Sequence, residues 1–312
     1  MFSSSNTQIY CPACKTTEIK LLGSIPPAEI FAGRQLPMTM EGGQLYECTS
    51  CHLQFRFPIP DQSMISQLYQ NADVMHWEYK EAARPDWELA IEWLAKLPGG
   101  KILDVGCWNG NFLSRVHPAW EKYGIELNDE AAQVARSAGI KIIGANASVA
   151  SETHHDFFDV VTAFDILEHL ENPDAFLIQL LHYIRPGGHI VIGTGNSQTW
   201  TWQLAISRYW YCWHPEHLSF INPAWVEYEA KKHSLDVIQI QGFSHAGNPS
   251  AVRLALQTFA NLTFLYLPGL FTLFRQARWR LLGTTGRKVV NHPPVWDNAS
   301  DHILVVLQKM PV

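Results

Sequence analysis

Two acids and two glycines stand where a chain can hold a nucleoside. The run Lys101-Ile102-Leu103-Asp104-Val105-Gly106-Cys107-Trp108-Asn109-Gly110-Asn111-Phe112-Leu113 reads as a buried strand ending near an acid, a tight glycine turn and a helix start. The next apolar stretch, Trp120 to Ile125, closes on Glu126. A carboxylate at that point can accept both ribose hydroxyls, and Gly106 and Gly110 let the backbone pass close to a ligand. A dinucleotide is a poor fit. Trp108 replaces the second glycine of the dinucleotide fingerprint, and Asp104 would set a negative charge beside the phosphates. S-adenosylmethionine suits the same residues, because it has no phosphate and carries a sulfonium and an ammonium group that Asp104 can help to hold.

A second chemistry lies upstream. Cys11-Pro12-Ala13-Cys14 and Cys48-Thr49-Ser50-Cys51 are two C-x-x-C knuckles separated by 33 residues. Each knuckle offers two thiolates to one ion, and the pair completes a tetrahedral four-cysteine zinc site. With four protein ligands such a site is closed, so the zinc expected at Cys11, Cys14, Cys48 and Cys51 is structural. A redox pair or a disulfide framework is the alternative, but neither knuckle lies in a βαβ pattern. Cys107 and Cys212 are isolated and read as packing residues.

These groups need elements to position them. Residues 1–60 read as the zinc module, 61–98 as a helical linker and 99–312 as an α/β domain. Strands are expected at 101–105, 122–126, 141–143, 158–164, 188–194, 235–241 and 302–308, with helices at 110–116, 129–138, 173–183 and 223–234. Such alternation implies a parallel sheet covered by helices. The connection between the last two strands is too long for a hairpin loop, so 244–300 reads as an insertion. Within it, Leu254 to Phe274 is a run of 21 residues without Asp, Glu, Lys or Arg. Gln257, Asn261 and Pro268-Gly269 interrupt this run, which therefore reads as two short apolar helices rather than a membrane span.

The strand, glycine turn and helix around Gly106 and Gly110 resemble motif I of class I S-adenosylmethionine-dependent methyltransferases, with its middle glycine changed to Trp108. Phe158 to Leu170 is similar to the family's fourth strand and post-strand segment, and Arg185-Pro186-Gly187-Gly188 to its turn into strand five. The resemblance covers roughly residues 75–243 and 301–310 and implies a Rossmann-like seven-stranded sheet with an antiparallel last pair. It implies a cofactor site at Asp104, Gly106, Cys107, Trp108, Gly110, Glu126, Leu127, Asn146 and Asp165. One departure stands out: Ala145 occupies the place where the family often carries an acid for the adenine amino group, which leaves backbone groups or Asn146.

Acceptor chemistry in this fold lies beyond the carboxyl ends of strands four and five. His169 is the first choice of general base and His217 the second, with a merely hydrogen-bonded wall histidine as the alternative for each. Six aromatic residues between Trp200 and Trp213 read as a stacking wall, a lid or core. The expected reaction is O- or C-methylation of a small-molecule, sugar or lipid-linked acceptor. The alternatives are an RNA methyltransferase that uses the zinc module to bind RNA, and a catalytically silent binding protein. Nucleic acid is disfavoured as a partner, since residues 1–60 carry four basic and four acidic residues. The net charge of −6 hides an asymmetry: Val237 to Trp296 contains no acid and six basic residues, which leaves −12 on the rest. Peripheral membrane contact through 250–290 is the expectation this supports, against a packed cap or a dimer contact. The N-terminus shows no secretory signal pattern, so the expected location is cytoplasmic, peripheral to the inner face of a membrane where that contact is made.

Overall fold

The structure is a computed structural model that describes residues 8–31, 34–60, 65, 84–147, 153–245, 250–282, 292–296 and 300–311. Most of the helical linker expected at 61–98 and part of the insertion lie outside the described residues.

The N-terminal region is built from hairpins: β1 (Ile19–Ile25), β2 (Ala28–Phe31), β3 (Arg34–Met40), β4 (Gly43–Cys48) and β5 (Gln54–Phe57). Further along come β6 (Gly100–Val105), β7 (Trp120–Ile125), β8 (Lys141–Gly144), β9 (Phe158–Phe164), β10 (Ile184–Gly195), β11 (Ser219–Phe220), β12 (Leu235–Phe243) and β13 (His302–Lys309). Seven of these form one sheet in the order β12-β13-β10-β9-β6-β7-β8. β6 to β10 are mutually parallel, and β13 runs antiparallel to β10 and β12. Their apolar runs are continuous because helices cover both faces. β10 starts earlier than its apolar run, since Ile184 already pairs with Phe158 and the Arg185–Gly188 turn shifts the register before His189 meets Val160.

Helices flank this sheet where the sequence provides starts. Asn128, Asn172 and Asn222 each accept a hydrogen bond from the amide three residues on, capping the helices Asp129–Ser137, Pro173–Tyr183 and Pro223–Lys232. Proline at the first helical position reinforces the latter two. The insertion forms two helices, Ala251–Tyr266 and Pro268–Leu282, that meet at Leu267.

The N-terminal sheet does not stand alone. Its order is β1-β4-β5-β11, so its fourth strand comes from beyond β10. A core cluster seals the junction, joining Ile25 and Leu45 to Trp202, Tyr209, Tyr211, Phe220 and Trp296. The buried Trp202 indole donates to Gln54 Oε1 at 3.0 Å. Most of the aromatic run is therefore core and not an open stacking wall; Trp200 is the exposed exception. Truncating Trp202 to Ala should destabilise the protein by about 3–5 kcal/mol through cavity formation and the orphaned Gln54. Denaturant unfolding followed by circular dichroism measures this, and a loss below about 1 kcal/mol would show the junction to be loose.

Candidate functional site

The glycine turn follows β6 as its residues require. Gly106 and Gly110 both have positive φ, 76° and 80°. A Cβ there would lie 2.5 Å from Ile166 Cδ1 and 2.1 Å from Ile140 Cδ1, respectively. Those isoleucine tips could shift, so it is the left-handed backbone that favours glycine at both places. Trp108 between them is also left-handed, at φ 48°, a conformation that costs a non-glycine residue roughly 1 kcal/mol. Its amide donates to Glu126 Oε2 at 2.8 Å, and Glu126 Oε1 accepts from Asn128 N at 2.7 Å. The carboxylate at the end of β7 is thereby aimed at the turn. Burial raises its pKa, opposed by these amides.

Asp104 is buried beneath the turn and accepts a 2.6 Å hydrogen bond from Thr162 Oγ1 on β9. Burial pushes its carboxyl up to about 7, despite the Thr162 bond and with Glu126 adding to the rise. Leu127 is half exposed beside Glu126, and Asn146 is exposed beyond β8. Cys107 is placed differently. Its thiol is buried in the core against Gly124, and its amide is taken by Ile125 O, so its side chain faces away from the turn's open side.

Asp165, left-handed at φ 53°, follows β9. Burial would raise its pKa, but Arg84 at 2.7 Å, with His245 and His302 nearby, holds it below the usual carboxylate range. Arg84 also makes a two-point contact with the buried Asp86. No local pattern signals this set, because Arg84 and Asp86 come from the helix start before β6, His245 follows β12 and His302 opens β13.

His169 and His217 are brought together, with ring centroids 5.0 Å apart. Each uses Nδ1 toward a backbone carbonyl, His169 to Glu216 O at 3.2 Å and His217 to Tyr211 O at 2.9 Å. A carbonyl only accepts, so in the neutral rings the proton sits on Nδ1 and the lone pair on Nε2. Burial, with His214 and His169 close by, drives the His217 pKa well below the usual histidine value, so that ring is neutral. Glu168 is buried between them and β10, accepting from Tyr211 Oη and Thr194 Oγ1 at 2.7 Å each. Ligand atoms of Glu168, His169 and His217 lie within 4.8 Å of one another, a set that can relay a proton or take a divalent cation.

The four N-terminal thiols also converge. Their sulfurs lie within 4.8 Å of one another, with Cys11–Cys51 at 3.6 Å and Cys14–Cys48 at 3.4 Å. Tetrahedral ligation at a Zn–S distance of about 2.3 Å places sulfurs roughly 3.8 Å apart, so the cluster fits a four-thiolate ion. The hydrogen bond from Cys51 favours a thiolate at Cys11, while burial pushes Cys14 up to about 12. A divalent cation is what lets all four ionise together.

This cluster reaches the histidines through one segment. The buried Arg56 on β5 donates to Cys212 O at 2.7 Å and Pro215 O at 3.0 Å. Its amide bonds Leu218 O at 2.8 Å, and Ser219–Phe220 complete the sheet. On the other side, Leu218 N donates to Glu168 O at 2.6 Å.

The sheet order, the glycine turn and the acid after β7 define the class I S-adenosylmethionine-dependent methyltransferase fold, here with a four-cysteine cluster capable of binding metal. The chain belongs to the methyltransferase-domain family, whose model matches residues 77–240. It is 30% identical over 129 residues to a ubiquinone biosynthesis O-methyltransferase of Yersinia pestis, covering 38% of this chain and 53% of that protein. It thus spans about half the length of the curated relatives it matches. Among solved structures, a possible histamine N-methyltransferase from Thermotoga maritima aligns at TM-score 0.44 and 12% identity, over 73% of this chain and 90% of that one. A methyltransferase from Archaeoglobus fulgidus aligns at 0.42 and 15%, over 80% and 100%.

Two outcomes follow. Chelating the metal, or replacing Cys48 by Ser, should speed amide hydrogen exchange at Arg56 and Leu218, because the sheet that pins 212–220 loses its anchor. Unchanged exchange at both amides would uncouple the cluster from the histidines. Ionised Asp104 favours a cationic ligand, so affinity for S-adenosylmethionine should rise with pH up to about 7 and then level, by at most about tenfold per unit. Since the folded pKa exceeds the unfolded one, the ligand-free fold loses stability as Asp104 ionises over that same range, and a bound cation offsets the loss. Titration calorimetry from pH 6 to 8 tests this; Asp104→Asn should flatten the profile, and an equally steep variant would remove Asp104 as the cause.

Proposed function

We propose that the protein transfers the methyl group of S-adenosylmethionine to an oxygen of a small-molecule acceptor. One observation carries the reading: the Glu126-glycine turn and the His169–His217 pair stand at the carboxyl ends of neighbouring strands of one sheet, where this fold class places its ligands. The O-methyltransferase name of the curated relatives supports oxygen as the accepting atom.

In this mechanism Glu126 takes the ribose hydroxyls. The turn from Gly106 to Gly110 passes along the nucleoside, Leu127 covers one adenine face, and Asn146 with nearby backbone reads its edge. Asp104 and Asp165 hold the cationic amino-acid end. The cofactor, when bound, would supply an electrophilic methyl and leave as the neutral thioether; transfer of that methyl to the acceptor oxygen needs in-line approach, so positioning dominates. His169 takes the acceptor hydroxyl proton at Nε2, while Glu216 O orients its ring. His217, neutral and buried, packs against His169 and holds its place; Glu168 is engaged by Tyr211 and Thr194 and supports the pair without meeting the acceptor. The four cysteines hold structural zinc in a ribbon-like module. Two matched knuckles support that reading: Lys15 and His52, each directly after a second cysteine, are both left-handed, at φ 62° and 64°.

Glu126→Ala should reduce S-adenosylhomocysteine affinity by at least about tenfold, given a lost charge-assisted contact, with the circular dichroism spectrum unchanged. Retained affinity would sink the cofactor assignment. With a hydroxylated quinol or sugar as acceptor, His169→Ala should lower kcat by about 100-fold or more with little change in cofactor affinity. A kcat within about threefold of the parent would transfer the role of base elsewhere.

A further inference from the structure

The two insertion helices present their apolar residues outward. On Ala251–Tyr266, Val252, Leu256, Phe259 and Tyr266 recur at helical spacing on one face. They are 69%, 65%, 66% and 64% exposed. On Pro268–Leu282, Leu273 and Phe274 continue the pattern at 63% and 60%. Exposed side chains of this size in a row exceed what a protein surface leaves bare without a use. The opposite face of the hairpin is already occupied. Asn261 and Phe264 are buried there, and both Arg208 Nη atoms donate to the carbonyls of Phe264 and Leu265 at 2.7 Å. The outer face is therefore not a stripe awaiting the body of the protein.

Charge selects the occupant. Val237 to Trp296 contains no acid, whereas Arg253, Arg275, Arg278, Arg280, Arg287 and Lys288 are all basic, in a chain whose remainder carries −12. A second copy would offer the same cationic face and repel it, while an anionic lipid surface attracts it. Neither helix is long and apolar enough to cross a membrane. Apolar residues beside arginines on helices too short to span define an interfacial mode, with the apolar face sunk to the headgroup boundary.

We infer that the helical hairpin 251–282 docks the protein on the surface of an anionic phospholipid bilayer, with Leu256, Phe259 and Leu273 inserted and the basic excess of this acid-free segment drawing it to the headgroup charge. The hairpin lies close to the histidines. Arg275 donates to His292 O, and the His292 ring is 6.3 Å from that of His214, itself 4.8 Å from His217. Docking thus sets the acceptor side of the sheet beside the lipid, which favours an amphipathic acceptor that partitions into the bilayer; this last step alone rests on the methyl-transfer reading above.

The test is co-sedimentation of the full, zinc-loaded chain with vesicles of phosphatidylglycerol and phosphatidylcholine, against phosphatidylcholine alone. The expected result is binding to the anionic vesicles that falls by at least about tenfold in neutral vesicles, in high salt and in the Leu256→Glu/Phe259→Glu variant. Both substituted residues are exposed and remote from the glycine turn, so S-adenosylhomocysteine affinity should be unchanged and reports that the variant is folded. Absence of anionic-vesicle binding, or equal binding by the variant, overturns the proposal. So does a doubled mass by light scattering that the variant abolishes without vesicle binding, which would assign the face to a second copy. None of these readouts involves methyl transfer, so failure of docking and failure of the enzymatic reading are separately visible.

Discussion

A buried arginine holds the two halves of this chain to one geometry. Arg56 sits on β5, inside the N-terminal sheet, and its guanidinium reaches the carbonyls of Cys212 and Pro215, on the segment that carries His214 and His217. Burial lowers its pKa to about 10, partly countered by Glu216, so it remains charged at neutral pH. A charge taken out of water must be matched by well-placed acceptors, and the carbonyls supply that match only if the segment keeps its course. The pairing of β5 with β11 and the bond from Leu218 to Glu168 extend the constraint to the histidine pair. The four cysteines close the module whose sheet borders the histidine segment.

The two ends of the candidate site are tuned differently. Near the cofactor turn, buried carboxyl groups at Asp104 and Glu126 are held above their ordinary pKa and are ready to be relieved by positive charge. Around the histidines, backbone carbonyls fix the tautomers and burial keeps His217 neutral. One end thus prefers a cation and the other retains nitrogen lone pairs, a division that suits movement of a methyl group from a sulfonium toward a nucleophile.

What was legible in the sequence was local. β6, its glycine turn and Glu126 could be placed because strand, breaker and helix start follow one another within a few residues, and the Asn-Pro pairs at 172–173 and 222–223 mark helix starts. The insertion's division at Pro268 was equally readable. The partners of each site residue were not. Arg84 meets Asp165 across 81 residues and Tyr211 meets Glu168 across 43, contacts that only the closed sheet creates. The aromatic run left wall, lid and core open for a related reason: core is the outcome because the N-terminal sheet folds over it. Trp108 shows the limit of motif reading, since a left-handed backbone there was foreseeable from the glycine it replaces, while the amide it lends to Glu126 was not.

The shared sheet also sets an order of events during synthesis. β5 leaves the ribosome with one edge bare, and Arg56 waits for carbonyls up to 159 residues downstream. An open strand edge is a template for pairing with other chains, and domains fold as their sequences emerge. All four cysteines precede β5, so the metal site can close, and order the module, before Ser219 and Phe220 arrive to cover that edge.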